Sequence, residues 1–404
     1  MSFLLLINAV SLKSLAGDAV YKASPRLAAV FFSESTSSQK IRAIYSGVDE
    51  PTVPATTTSR RLRLLIVPGH EPGYGGAEYG SLKEREMAVE IALYLEKFLE
   101  SDKKVEIILA RDNEKWNPEL ENYVSAHSDE ILAWRGEKER EMVSLIREGA
   151  VKKEPSLPHA DAKKNSALYL YGINKWANEK NFDMIVHLHF NDYPGHSRRS
   201  GEYDGYTIYI PDKQYSNAKA SRDLADVLRG RFSRFLSESN QPHEDSLTED
   251  QELIALGSFN TLNPASVLIE YGYIYEPQFK DRKTREFVLR EYAHQTFLGI
   301  EDYLTNREGE ASFSPLPFVW QNKIKPWPAV SAEVFALQTQ LIKNGFYPPE
   351  GKTLRDCPAT GIFGDCTKKA LNKFQAENNI KGENNSIGKE TISFLGGATA
   401  KSSY

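Results

Sequence analysis

From Leu62 to Leu304 short apolar runs alternate with stretches of helical periodicity, and that alternation admits few architectures. The apolar runs are LRLLIV (Leu62 to Val67), VEIIL (Val105 to Leu109), MIVHLHF (Met184 to Phe190), YTIYI (Tyr206 to Ile210) and SVLIEY (Ser266 to Tyr271). Each is short enough to be a strand and too continuous to have a solvated face. Between them, Met87, Ile91, Tyr94, Leu95 and Phe98 recur at helical spacing within Ser81 to Leu99. Lys163 to Glu179, Ala218 to Leu236 and Thr284 to Leu304 also read as helices. The pattern predicts an α/β fold, a layered sheet with helices on both faces.

At 404 residues the chain exceeds one ordinary hydrophobic core, so a second folded unit is expected. Residues 1–60 read as an export- or anchor-like segment and a tether, because DEPTVPATTTSRR is polar and rich in Pro and Thr. Residues 61–306 hold the layered domain, with a charged helical insertion at about 113–158 over one edge or over the site. Prolines in SFSPLPFVWQNKIKPWPAV mark a linker at 307–330. In 331–397 the apolar positions Val334, Leu337, Leu341, Ala370, Leu371 and Phe374 predict a small, mostly helical unit, and 398–404 is a tail.

The net charge of −5 offers no basic footprint for nucleic acid. A mean hydropathy of −0.48 argues against several membrane spans. The apolar run Phe3 to Val10 is far shorter than the roughly 20 residues that cross a bilayer. It can be the core of an export signal, although no Lys or Arg precedes it, or part of an amphipathic tail. Cys357 and Cys366 are the only cysteines, too few for a thiolate zinc site, so a metal would have to be held by His and carboxylate.

Three polar residues lie at or near the ends of apolar runs, where α/β folds open a shared crevice: His70, His189 and Glu270. A lone His at a strand end is usually a hydrogen-bonded core or loop residue, and Glu84 alone reads as a first-turn helix acid. Taken together they change the reading. Two imidazoles and a carboxylate suffice to hold a catalytic zinc ion with one position left for water. A further carboxylate must then move the proton, and Glu270, set in an otherwise apolar strand, suits that task. The glycines of PGHEPGYGGAEYG are not followed by Gly-Lys-Ser/Thr, which excludes a phosphate loop.

The strings VPGHEPGYGGAEYGSLKEREM, VHLHFND and PASVLIEYGYI resemble the three signature blocks of the zinc-dependent N-acetylmuramoyl-L-alanine amidases, the amidase-3 family, over about Arg61 to Asn306. The resemblance implies that His70, Glu84 and His189 bind one Zn2+, that Glu270 is catalytic and that Asn191 supports the site by hydrogen bonding. It implies hydrolysis of the amide between N-acetylmuramic acid and L-alanine. Three departures stand out: Glu71 where the family has Gly, His187 where it has a small Ser, and the longer insertion. His187 shares the strand face of His189 and reads as a lining residue or competing ligand.

VFALQTQLIKNGF, ATGIFGDCTKKALNKFQ and SIGKETISFL resemble the peptidoglycan-binding domain 1 family over about Ala332 to Gly397. That resemblance implies peptidoglycan as partner and an extracytoplasmic site of action; a monomer is favoured. Cys357 and Cys366 flank TGIFG, and a disulfide and two buried thiols are both open. The other functional readings are a wall-binding adaptor without activity and a zinc amidohydrolase or carboxypeptidase on soluble peptides. The second lacks a His-x-x-Glu pair, because Gly73 stands third after His70.

Overall fold

The computed structural model describes residues 34–48, 60–155, 164–193, 201–307, 312–320, 330–383, 386–395 and 398–399. The export-like run, the DEPTVPATTT tether and residues 321–329 of the linker lie outside the described residues. In chain order the strands are β1 (Leu62–Pro68), the ribbon β2 (Glu78–Tyr79) and β3 (Leu82–Lys83), β4 (Val105–Leu109), β5 (Met184–Asn191), β6 (Thr207–Pro211), β7 (Leu247–Asp250), β8 (Ala265–Tyr273), β9 (Val319–Trp320) and β10 (Ala398–Thr399). The helices are α1 (Ser38–Ser46), α2 (Glu84–Leu99), α3 (Pro118–Ala126), α4 (Ser128–Arg147), α5 (Lys164–Glu179), α6 (Ala218–Phe232), α7 (Pro277–Lys280), α8 (Arg282–Thr305), α9 (Ala332–Lys343), α10 (Asp365–Glu377) and α11 (Lys389–Phe394).

Six strands form one sheet in the order β4-β1-β5-β8-β6-β7. The first four run parallel, while β6 pairs antiparallel with β8 and parallel with β7. The layered α/β architecture expected from the sequence is therefore present, with a reversed edge. Side chains alternate as strand geometry requires. Leu64, Ile66, Val186, Leu188, Val267 and Ile269 face one way and pack with Ile91 and Leu95 of α2, Leu224 and Leu228 of α6 and Val288 and Tyr292 of α8. Leu65, Val67 and Ile185 face the other way, against Ile173, Trp176 and Ala177 of α5.

The insertion does not add to the sheet. Leu120, Val124 and Ile131 of α3 and α4 join the cluster under α5, and Met142 and Leu145 pack with Tyr215, so the insertion thickens the outer helical layer on that face.

Parts of the N-terminal segment and of the linker are folded against the core. Within 1–60, α1 is capped by the Ser37 side chain and buries Ile41 and Ile44 in the main core. Ser38 and Arg42 bond to α6 and α8, through Asp223 and the Tyr303 carbonyl. A nine-residue helix with a single apolar face is hard to see inside a polar segment. Within 307–330, the prolines prevent a helix but leave an extended segment that buries Phe313, Leu316 and Trp320.

The C-terminal unit is helical, and its motif glutamines have a structural reason. Gln338 accepts from the Gly361 amide and donates to the Ile362 carbonyl and Thr367, while Gln375 donates to the carbonyls of Glu383 and Ser386 and to Thr391. Each buried amide thus stitches a loop to a helix. Cys357 and Cys366 are joined by a disulfide. The unit is docked on the layered domain: Phe335 lies 6.1 Å from Phe287 and 6.4 Å from Tyr292, ring to ring. Phe318 packs edge-on between Phe287 and Trp320. Arg355 adds an ion pair to Asp204 at 2.9 Å and a hydrogen bond to the Glu238 carbonyl.

Candidate active site

At the carboxyl ends of the parallel strands, β1 breaks into the loop 69–77 and delivers His70. His70 has a φ of 67°, a left-handed conformation uncommon for a non-glycine residue and one that marks functional sites. Two glycines make room around the imidazoles. A Cβ on Gly69 would lie 2.5 Å from the His189 ring, and one on Gly76, itself at φ +82°, would lie 2.7 Å from the His70 ring. Buried Arg111 holds the loop from below, donating to the carbonyls of Pro68, Gly69 and Arg85. Burial lowers its pKa to about 10, against the raising effect of the Glu84 charge. Nothing in the sequence singled out Arg111.

Glu84 opens α2 and is buried. Its Oε2 accepts from the Ala77 amide at 2.9 Å and lies 2.7 Å from His70 Nε2. Its Oε1 lies 3.0 Å from His189 Nδ1 and accepts from the Phe190 amide at 3.2 Å. One donor atom from each of His70, Glu84 and His189 falls within 4.8 Å of the others. Burial pushes the Glu84 carboxyl up, but the charges and hydrogen bonds of His70 and His189 outweigh it and hold the group far below the usual carboxylate range. Burial lowers His189, against the pull of Glu84. Glu84 is thus pushed toward its charged form and His189 toward its neutral one, the directions that metal ligation requires. His70 Nε2 is buried and makes no aligned hydrogen bond despite its proximity to Glu84.

Strand pairing sets Glu270 directly opposite His189 across the β5–β8 ladder, on the face turned away from the main core. Its Oε2 is buried without a partner. Burial, then the charges of Glu84 and Glu244, push the Glu270 carboxyl well above its ordinary range.

His187 lies two residues earlier on the same face, fully buried and opposite Leu268. Burial lowers its pKa to about 3, helped by His189 and opposed by a hydrogen bond to the Ala255 backbone. It stays outside the three-residue cluster. Glu71, the departure next to His70, also lies outside it; its backbone bridges to Tyr74 and its Oε1 is buried without a partner. Asn191 ends β5 and turns its amide to Glu244, with Nδ2 3.1 and 3.2 Å from the two carboxylate oxygens. Glu244 sits in a loop between apolar runs and gave no periodic signal.

The family profile described as N-acetylmuramoyl-L-alanine amidase matches residues 64–302, and that of a peptidoglycan binding domain matches residues 330–395. Among solved structures the chain is similar to the N-acetylmuramyl-L-alanine amidase Ami1 of Mycobacterium smegmatis, at 14% identity over 61% of this chain and 98% of that one, with a TM-score of 0.41. It is also similar to the catalytic domain of CwlV from Bacillus (Paenibacillus) polymyxa, at 17% identity over 60% and 98% with a TM-score of 0.38. The CwlD amidase of Clostridioides difficile, solved with the GerS lipoprotein, matches at 18% identity over 61% and 100% with a TM-score of 0.39. Comparison with curated protein sequences gives no match. No helix among the described residues is long and apolar enough to cross a membrane. With the amidase profile covering more than half of its length, the chain belongs to the N-acetylmuramoyl-L-alanine amidase family.

Proposed function

We propose that this peptidoglycan amidase works with one zinc ion held by His70, Glu84 and His189, that Glu270 carries the proton, and that it acts outside the cytoplasm. The observation that carries the reading is the convergence of two imidazoles and a carboxylate within 4.8 Å, with Glu270 opposite His189 in the adjacent strand. The donor set fits zinc: nitrogen and oxygen ligands, a Glu84 carboxyl held low, a His189 imidazole pushed toward its neutral form by burial, and a His70 nitrogen without an aligned partner. When bound, the ion supplies Lewis acidity, making water acidic near neutral pH and polarising the carbonyl under attack.

The protein supplies the rest. Glu84 is fixed by two backbone amides, so the ligand geometry exists before substrate arrives. Glu270, with a buried unpartnered oxygen and a raised proton affinity, is suited to take a proton from water and hand it to the departing L-alanine nitrogen. The C-terminal unit holds the enzyme on its polymer and raises the local concentration of scissile bonds.

Release of stem peptides from purified sacculi, read by mass spectrometry with and without a chelator, tests the reading. Products beginning at L-alanine, lost with chelator and restored by zinc, are expected. Chelator-insensitive release would reject the metal, and a zinc-loaded chain that binds sacculi without cutting them would leave only adhesion.

A further inference from the structure

Glu244 lies on the loop between α6 and β7, 6% exposed. Its Oε1 accepts hydrogen bonds from Asn191 Nδ2 at 3.1 Å, the Tyr209 hydroxyl at 2.7 Å and Gln241 Nε2 at 3.0 Å. Its Oε2 accepts from Asn191 Nδ2 at 3.2 Å, the Ser239 hydroxyl at 2.5 Å and the Tyr273 hydroxyl at 3.3 Å. Among the described residues no Lys, Arg or His is paired with it. A buried carboxylate held only by neutral donors is an expensive way to close a loop, since an amide or an apolar residue would avoid much of the desolvation.

The donors show what the carboxylate organises. Asn191 is two residues beyond His189 at the end of β5. Tyr209 is two residues along β6 from Thr207, which pairs with Glu270. Tyr273 ends β8, three residues beyond Glu270. The three strand segments that frame the site thus meet on a single acceptor.

We infer that Glu244 is a positioning residue for amide hydrolysis: by gathering Asn191, Tyr209 and Tyr273 it sets Glu270 against His189. The inference rests on the hydrolase reading given above. It also gives Asn191 and Tyr209 a role without substrate contact, because both turn their donors to Glu244. Gln cannot replace this acceptor, since its NH2 would face the Asn191 NH2 whichever way the amide is turned, whereas the hydroxyls can reverse to accept.

The test compares wild type, Glu244→Gln, Asn191→Asp, the double variant N191D/E244Q and Tyr209→Phe, assayed on a soluble N-acetylmuramoyl peptide with zinc per chain and thermal midpoint measured alongside. E244Q and N191D are each expected to lower kcat by about tenfold or more, the scale of effect that small misplacements produce, with KM and zinc content nearly unchanged. The double variant reverses donor and acceptor and should recover much of the loss. Y209F should lower kcat more mildly. If wild type releases no L-alanine peptide, the hydrolase reading itself fails. If wild type is active and E244Q matches it, only the role of Glu244 fails. A kcat loss that tracks lost zinc or lost folded protein, or a double variant no better than E244Q, reduces Glu244 to a structural acid and overturns the inference. Should E244Q not fold, Y209F and N191D/E244Q decide: unchanged kcat in Y209F or no recovery in the double variant rejects it.

Discussion

His189 and Glu270 face each other across neighbouring parallel strands, one at the edge of the ligand cluster and the other with a buried, unpartnered oxygen. A group that moves protons without holding the ion should be separable from the groups that hold it. Glu270→Gln is therefore expected to cut kcat by roughly 10²- to 10⁴-fold, the usual contribution of a general acid–base group. Metal analysis after dialysis should still find one zinc per chain; a variant with near-wild-type turnover would remove Glu270 from the mechanism.

The ligands should behave in the opposite way. His70→Ala, His189→Ala and Glu84→Ala are each expected to lose both activity and zinc, with circular dichroism showing the sheet intact. Retention of stoichiometric zinc by any two of them would disprove the assignment.

Gly69 offers a finer test of the same cluster. A Cβ there meets the His189 ring at 2.5 Å, so Gly69→Ala must displace either the ring or the β1 loop. Weaker zinc affinity, by competition with a chelating dye, should accompany a stable fold. Unaltered affinity would mean that the ring has room to move.

Two acids, the buried Glu291 and the partly buried Glu276, tie folding to pH. Burial pushes Glu276 and Glu291 up to about 7, against hydrogen bonds from the Tyr273 and Gly205 amides and Gln278 in one case and from Gln295 and the Leu316 amide in the other. Because the folded state binds these protons more tightly than the unfolded chain, their contribution is present in full below about 4.5, the ordinary carboxylate value, and is lost as pH rises toward 7. Each is worth on the order of 3 kcal/mol across that window. The thermal midpoint should decline between pH 5 and pH 8, and Glu291→Gln should flatten the decline; equal slopes would reject the linkage.

The docking seam predicts what truncation does. Removing residues 330–395 uncovers Phe287 and Tyr292 and ends the Arg355–Asp204 pair. A lower thermal midpoint in the remaining domain is expected, together with a larger activity loss on sacculi than on soluble fragments. An unchanged midpoint would show that the two units are independent.

The sheet was legible because its strands are continuous apolar runs, and the face shared by His187, His189 and Glu270 follows from period-two alternation. The candidate ligands, which the structure brings together, were legible through the resemblance as well as through chemistry: an acid at the start of a helix gives no sign by itself that it meets two histidines from distant strands. What stayed hidden depends on tertiary contact. Arg111 and Glu244 act through backbone carbonyls and neutral donors brought together only by folding. Helix α1 and the segment 312–320 hide for the converse reason, few apolar residues in polar or proline-rich surroundings, yet each is buried where it matters.

The aromatic contacts among Phe287, Phe318, Trp320 and Phe335 give the wall-gripping unit a fixed attitude toward the cutting unit. A foot seated in this way is expected to let the blade reach only bonds at one offset from each foothold. Once those are severed the molecule should have to let go before it can work elsewhere, so its pace on intact wall is expected to follow how quickly it steps off.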